Sequence, residues 1–187
     1  MSLPEVLQRI TTMLDEAGVA YMLTGSFASA YYGSPRSTQD IDLIIAGTLE
    51  ELRKFVESLP VGKYYADLDA AIEAYQKQSM FNVIDLESGW KIDLILRKSR
   101  AFSQEEFKRR QAVNMQGMHL FVASAEDVVI AKLEWAKRAQ SHRQIEDAAG
   151  IMKIRGNSLD HSYIKRWIGE LALAKEWNDA QRMARSS

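Results

Sequence analysis

Two short segments constrain the fold of this chain more than anything else in it. Asp40-Ile-Asp42-Leu-Ile-Ile and Lys91-Ile-Asp93-Leu-Ile-Leu set carboxylates inside text that otherwise has the apolar content of buried strands. Asp is disfavoured in strands, and a charge inside a sheet is costly unless something compensates it. Alternation puts Asp40 and Asp42 on one face, with Ile41, Leu43 and Ile45 on the other. Side chains two apart on a strand sit roughly 6–7 Å apart at the Cα, so both carboxylates can converge on cations between them. If the Asp93 strand lies alongside, three carboxylates meet at one position of the sheet. Such a cluster calls for divalent metal, and all-oxygen ligation favours Mg²⁺ or Mn²⁺. It is the ligand set of a two-metal phosphoryl-transfer site. A lone Asp-x-Asp more ordinarily faces solvent or caps a turn, so the surrounding text has to decide.

That text alternates helix and strand. Val6, Leu7, Ile10, Met13 and Leu14 recur at helical spacing between Pro4 and Gly18, which predicts a first amphipathic helix. Val19 to Leu23 reads as a buried strand. Ser26 opens a small-residue helix, Phe27 to Tyr32, ended by Gly33 and Pro35. Ile41 to Ile45 is a second strand, Thr48 caps a helix to about Leu59, and Asp67 to Gln78 is another helix. Phe81 to Leu86 and Trp90 to Leu96 flank Glu87-Ser88-Gly89 as a hairpin. A helix is expected from about Ser103 to Ala112. A second hairpin follows from Asn114 to Ala123, turning near Gln116-Gly117. From Ser124, where Ser124 and Asp127 resemble a capping box, the remaining text reads helical. The organisation is a mixed α/β part, residues 1–123, and a helical part, residues 124–187.

The chain's 187 residues and 47% hydrophobic content suffice for a sizeable core. With no cysteine, a disulfide framework, a thiolate metal site and a cysteine nucleophile are excluded. His119, His142 and His161 lack zinc-ligand spacing. No apolar stretch approaches the length of a membrane span, and the N-terminal text lacks the order of a secretion signal. A cytoplasmic location with no membrane partner is the expectation.

Upstream of the aspartates, Thr24-Gly25-Ser26 stands where a strand passes into a helix. Glycine allows close backbone approach, the helix start offers free N–H groups, and Ser26 adds a hydroxyl for a phosphate oxygen. Alone, Gly-Ser before a helix is a good N-cap. In order along the chain, however, Gly25-Ser26, Asp40-x-Asp42 and Asp93 resemble the nucleotidyltransferase superfamily, whose fold is named after DNA polymerase beta. The run Arg36-Ser-Thr38-Gln-Asp40-Ile-Asp42-Leu is similar to that of the AbiEii-type toxin nucleotidyltransferases and their relatives. The resemblance implies an α+β nucleotidyltransferase fold with a mixed β-sheet flanked by helices, followed by a C-terminal helical subdomain. It implies Gly25 and Ser26 on the triphosphate of an NTP, and Asp40, Asp42 and Asp93 as catalytic carboxylates binding Mg²⁺ or Mn²⁺. Asp93 would also help deprotonate the attacking hydroxyl. Arg36 and Thr38 either touch phosphate or substrate or hold the loop. Asp85 competes for the third carboxylate. Asp93 is preferred because Ile92-Asp93-Leu-Ile repeats Ile41-Asp42-Leu-Ile, whereas Asp85 precedes a turn.

In the first helix after Ser124, Val128, Val129, Trp135, Ala136 and Ala139 lie within about 60° of Lys132 on a helical wheel. A lysine in an apolar stripe either snorkels or has an anionic partner. The resemblance supports a nucleotide-binding Lys132 directed at the triphosphate, because relatives carry a similar Asp-x-x-x-x-Lys-Leu helix. Asp147, in a segment that resembles the family's next helix, either orients Lys132 or a basic loop residue or takes a surface place, the commoner outcome for such a residue. Trp135, Trp167 and Trp177 are read as packing residues.

Function then follows from the resemblance: transfer of a nucleoside monophosphate from an NTP to an acceptor, with release of pyrophosphate. RNA or tRNA is the favoured acceptor and a cognate antitoxin protein a further partner. The alternatives are a non-catalytic nucleotide-binding or regulatory module on the same fold, and a structural partner protein. Retention of all three strand aspartates favours the enzyme. The net charge of −1 is no objection to RNA. Residues 1–93 hold 7 basic and 14 acidic residues, whereas residues 94–187 hold 17 basic and 11 acidic.

Overall fold

The computed structural model describes residues 3–35, 37–115 and 117–186. Its seven strands are β1 (Ala20–Leu23), β2 (Asp40–Ala46), β3 (Tyr64–Ala66), β4 (Met80–Asp85), β5 (Lys91–Leu96), β6 (Gln111–Met115) and β7 (Met118–Val122). They form one mixed sheet in the order β3-β4-β5-β2-β1-β7-β6. The β2/β5 and β1/β7 pairs are parallel, and the others are antiparallel. The helices are α1 (Leu3–Ala17), α2 (Gly25–Tyr31), α3 (Leu49–Ser58), α4 (Leu68–Lys77), α5 (Ala101–Lys108), α6 (Ala125–Ala139), α7 (His142–Arg155), α8 (His161–Glu170) and α9 (Ala174–Ser186). No helix among the described residues is long and apolar enough to cross a membrane.

The chain forms two compact units. The first comprises Met1–Thr24 with Ser37–Val122, and the second Gly25–Arg36 with Ala123–Ser187. In the first, alternation gives the sheet one apolar face built from Tyr21, Leu23, Ile41, Leu43, Ile45, Phe81, Val83, Ile92 and Leu94, all buried. The apolar stripe of α1, with Val6, Leu7, Ile10 and Leu14 buried, packs beside β1 and β7 and against α3. Helix α3 starts in a full capping box: the Thr48 hydroxyl accepts from the Glu51 N–H, and the Glu51 carboxylate accepts from the Thr48 N–H. In the second unit, α6 packs on α7 and α8, α7 on α9, and α2 lies against α6 and α7.

Two elements differ from the sequence expectation. Helix α5 stops at Lys108, four residues short of the Ala112 end expected for it, because Gln111 and Ala112 pair with Val122 and Phe121 as the first residues of β6. The Arg110 guanidinium marks the change, folding back over Phe107 at 4.5 Å and Phe121 at 5.1 Å. The three-residue β3, pairing with β4 at the sheet edge, is too short to carry a periodic signal. Of the Gln116-Gly117 turn, Gln116 lies outside the described residues.

Ser124 caps α6 by accepting from the Asp127 N–H at 3.2 Å, but Asp127 does not complete the box. Its carboxylate accepts from the Ser124 hydroxyl at 2.6 Å instead. Trp167 and Trp177 are buried, whereas Trp135 is 56% exposed. The buried residues of α6 centre between Lys132 and Leu133, about 120° round the helix from Trp135.

Candidate active site

The parallel β2/β5 ladder pairs Asp40 with Lys91, Ile41 with Ile92 and Asp42 with Asp93. Side chains at matched positions of adjacent strands share a face, so Asp40, Asp42, Lys91 and Asp93 stand together on the face opposite the apolar one. Strand separation of about 4.8 Å sets the lateral spacing of Asp42 and Asp93. On the other side of β5, β4 places Asn82 beside Asp93 on that face. The main-chain N–H of Thr24, following β1, donates to the Asp42 carbonyl at 3.0 Å. The point of the chain just before Gly25 is therefore anchored at the level of the aspartates.

Among the described residues, Lys91 brings a cation to this group. Its ammonium lies 3.2 Å from Asp93 Oδ2 and 3.6 Å from Asp40 Oδ1. Asp93 is buried, and its Oδ1 has no hydrogen-bond partner among the described residues. Burial pushes the Asp93 carboxyl above its ordinary pKa despite the opposing pull of Lys91. At Lys91 the balance is reversed. Burial would lower the ammonium's pKa, but the bond to Asp93 and the charges of Asp93 and Asp40 outweigh it, so the net direction is up. The difference follows from exposure, since the side chain of Lys91 is 38% accessible and that of Asp93 only 10%. The alternation that flags Asp42 and Asp93 also puts Lys91 on their face, a signal the sequence reading left unused.

Asp85 has other work. It sits on the opposite face of β4, almost wholly buried. Its Oδ1 accepts from the N–H groups of Glu87 at 3.1 Å and Ser88 at 2.9 Å, and its Oδ2 accepts from Arg9 of α1. Burial alone would raise its pKa, but the Ser88 bonds, Arg9 and the Glu87 N–H hold it below the usual carboxylate value.

Thr38 lies in the approach to β2. Its hydroxyl accepts from the Asp40 N–H at 3.3 Å and is 3.4 Å from the Asp40 carbonyl. Arg36 falls outside the described residues. Gly25, at φ +63°, begins α2, followed by the buried Ser26, and the Ser29 hydroxyl donates back to the Gly25 carbonyl at 3.0 Å. In the second unit Lys132 is 5% exposed and donates to Asp147 Oδ2 at 2.8 Å. Lys132 therefore meets an anionic partner rather than snorkelling. Asp147, for which a surface place was the commoner expectation, is buried.

Among the described residues, no three His, Asp or Glu side chains are gathered tightly enough to hold a metal ion. The donor chemistry nonetheless fits a hard divalent cation. The carboxylates on β2 and β5 are all-oxygen donors, Asp93 keeps a buried oxygen with no donor among the described residues, and Asp40 and Asp93 already clamp one positive charge between them.

The fold is that of nucleotidyltransferases. The chain is similar to the solution structure of the antibiotic-resistance factor ANT(2'')-Ia, with a TM-score of 0.57 and 15% identity over 98% of this chain and 97% of the other. It is similar also to an antigenic nucleotidyltransferase-like protein from Paracoccidioides brasiliensis, with a TM-score of 0.57 and 15% identity over 97% and 91% of the two chains. The lincosamide antibiotic adenylyltransferase LnuA, lincomycin-bound, matches with a TM-score of 0.56 and 13% identity over 82% and 98%. No curated protein sequence matches the chain. Residues 1–184 match the family described as a nucleotidyltransferase of unknown function (DUF6036), and the chain belongs to it. The protein is a nucleotidyltransferase.

Proposed function

We propose that this enzyme transfers a nucleoside monophosphate from an NTP to an acceptor hydroxyl in a metal-dependent reaction, and that the acceptor is RNA, with tRNA favoured. The observation that carries the reading is the register of β2 on β5, which aligns Asp42 with Asp93 and Asp40 with Lys91 on one face. Asp40, Asp42 and Asp93 would hold Mg²⁺ or Mn²⁺. When bound, that cation neutralises the triphosphate and lowers the pKa of the acceptor hydroxyl. The acceptor oxygen attacks the α-phosphorus, the bond from the α-phosphorus to the oxygen bridging it to the β-phosphate breaks, and pyrophosphate leaves. Asp93 would take up the hydroxyl proton.

Gly25, Ser26 and Lys132 are assigned to the nucleotide phosphates, and Asp147 orients Lys132 through their bond. Thr38 and Arg36 complete the nucleotide-binding set, Thr38 by fixing the chain at Asp40. The choice of RNA, and of an antitoxin protein as a further partner, rests on the resemblance of the Arg36–Leu43 run to AbiEii-type toxins. An antibiotic acceptor, as the lincomycin-bound state of LnuA illustrates for that enzyme, is the competing outcome.

The test is incubation of the protein with each labelled NTP, Mg²⁺ or Mn²⁺ and total RNA, with Asp42→Ala as control. A labelled RNA seen with the wild type and missing with Asp42→Ala is expected. Labelling of a small molecule or a protein instead would replace the acceptor, and no product with any nucleotide would remove the transfer reading.

A further inference from the structure

The placement of Lys91 has a consequence for how the site takes metal. Its ammonium bridges carboxylates from two strands, 3.2 Å from Asp93 Oδ2 and 3.6 Å from Asp40 Oδ1. A buried carboxylate needs a compensating charge, and Lys91 supplies one for Asp93. The compensation is incomplete, however, because Asp93 Oδ1 stays buried with no partner among the described residues. Buried polar atoms in a purely structural ion pair are normally satisfied on both oxygens. A divalent cation held by Asp40 and Asp93 would stand within a few ångströms of the Lys91 ammonium, and like charges at that distance in a partly buried setting repel strongly. The two cations therefore exclude one another. Lysine suits exchange. Its charge is a single point on a flexible stem, its side chain here is 38% accessible, and it lacks the two-pronged grip with which arginine would lock a carboxylate.

We propose that Lys91 is the resident stand-in for the divalent cation. Its ammonium neutralises Asp40 and Asp93 until metal displaces it, and this competition sets how tightly the site takes metal. The inference rests on the reading of Asp40, Asp42 and Asp93 as the metal-holding carboxylates.

It is tested without turnover, by titrating the full chain with Mn²⁺ in the absence of nucleotide and following free Mn²⁺ by electron paramagnetic resonance. The proteins are the wild type, Lys91→Met, Lys91→Arg, Asp42→Asn and Asp93→Asn, each first checked for a native circular dichroism spectrum. Lys91→Met keeps the length of the side chain and removes its charge. It is expected to bind Mn²⁺ at least about tenfold more tightly than the wild type, the scale of removing one like charge from such a site. Lys91→Arg should bind no more tightly than the wild type, and Asp93→Asn should lose binding. As a second readout, metal-free Lys91→Met should melt below the wild type and recover on saturation with Mn²⁺.

Unchanged or weaker binding by Lys91→Met, with binding still lost in Asp93→Asn, would overturn the role of Lys91 and leave the carboxylate reading standing. Wild-type binding by both Asp42→Asn and Asp93→Asn, or no binding by the wild type and Lys91→Met alike, would remove the carboxylate reading and this inference with it.

Discussion

At the scale of single residues, Asp85 and Asp93 show how one strand pairing gives two aspartates opposite tasks. Asp93 shares its face with Asp40 and Asp42, whereas Asp85 faces the core and ties Arg9 of α1 to the β4–β5 turn. Losing one member of a buried pair costs about 3–5 kcal/mol, and the side chain of Arg9 is 35% exposed, so part of its charge returns to water. Asp85→Asn should therefore destabilise the protein by about 2 kcal/mol at pH 7 in urea unfolding. Because the folded pKa of Asp85 lies below its unfolded value near 3.9, its contribution is present above that value and is lost as pH falls through the folded pKa. The gap between wild type and Asp85→Asn should hold from pH 7 to about pH 5 and shrink below about pH 4; a gap that widens in acid would refute the assignment. That Asp93 rather than Asp85 shares a face with Asp42 was legible because strand text repeats around Asp42 and Asp93, and because Asp is ordinary before a turn. The partner of Asp85 was not. Arg9 and Asp85 are far apart in sequence, and the burial of Asp147 against Lys132 depends on how α6 packs on α7.

At the scale of elements, the strands and helices with a clear period or cap could be read directly, as the Thr48 cap of α3 illustrates. Local signals mislead where a tertiary partner overrules local preference. Gln111 and Ala112 carry no strand text of their own and become strand because β7 offers them a ladder. The end of α2 shows the opposite case, a stop signal written in one residue. Gly33 sits at φ +108°, its N–H donates to the Ala30 carbonyl at 3.1 Å, and the next N–H, of Ser34, donates to Ser29 at 2.9 Å. A Cβ added at Gly33 would stand 2.6 Å from Ile154 Cδ1 and 2.9 Å from its Cγ2, on α7. The outer methyl can move, since Ile154 is 61% exposed, but the backbone strain of an L-residue at that φ remains. Gly33→Ala should thus cost about 2 kcal/mol, read as a lower melting temperature. A variant as stable as the wild type would show that the α2 end does not need this conformation.

At the scale of the whole molecule, charge is the feature that bears on the acceptor. The net −1 hides an excess of acid in residues 1–93 and an excess of base in residues 94–187. Part of that base, Arg97, Lys98, Arg100, Lys108, Arg109 and Arg110, falls within one stretch around α5. There Arg97 lies over the Phe107 ring at 5.5 Å and Arg110 over the same ring at 4.5 Å, while Arg97 and Lys108 are exposed. Cations arrayed on aromatic rings suit a polyanionic chain, whose binding releases counterions and weakens as salt rises. An uncharged small acceptor releases none. If RNA is the acceptor, its apparent affinity should fall linearly with salt on logarithmic axes, by a slope of roughly 0.7 for each phosphate neutralised on a single strand. The charge reversals Arg97→Glu and Lys108→Glu should each weaken RNA binding severalfold at low salt and flatten that slope, while Mn²⁺ affinity measured without RNA stays as in the wild type. A slope left unchanged by both substitutions would move the RNA off the α5 stretch, and a salt-independent affinity would argue against a polyanionic acceptor altogether.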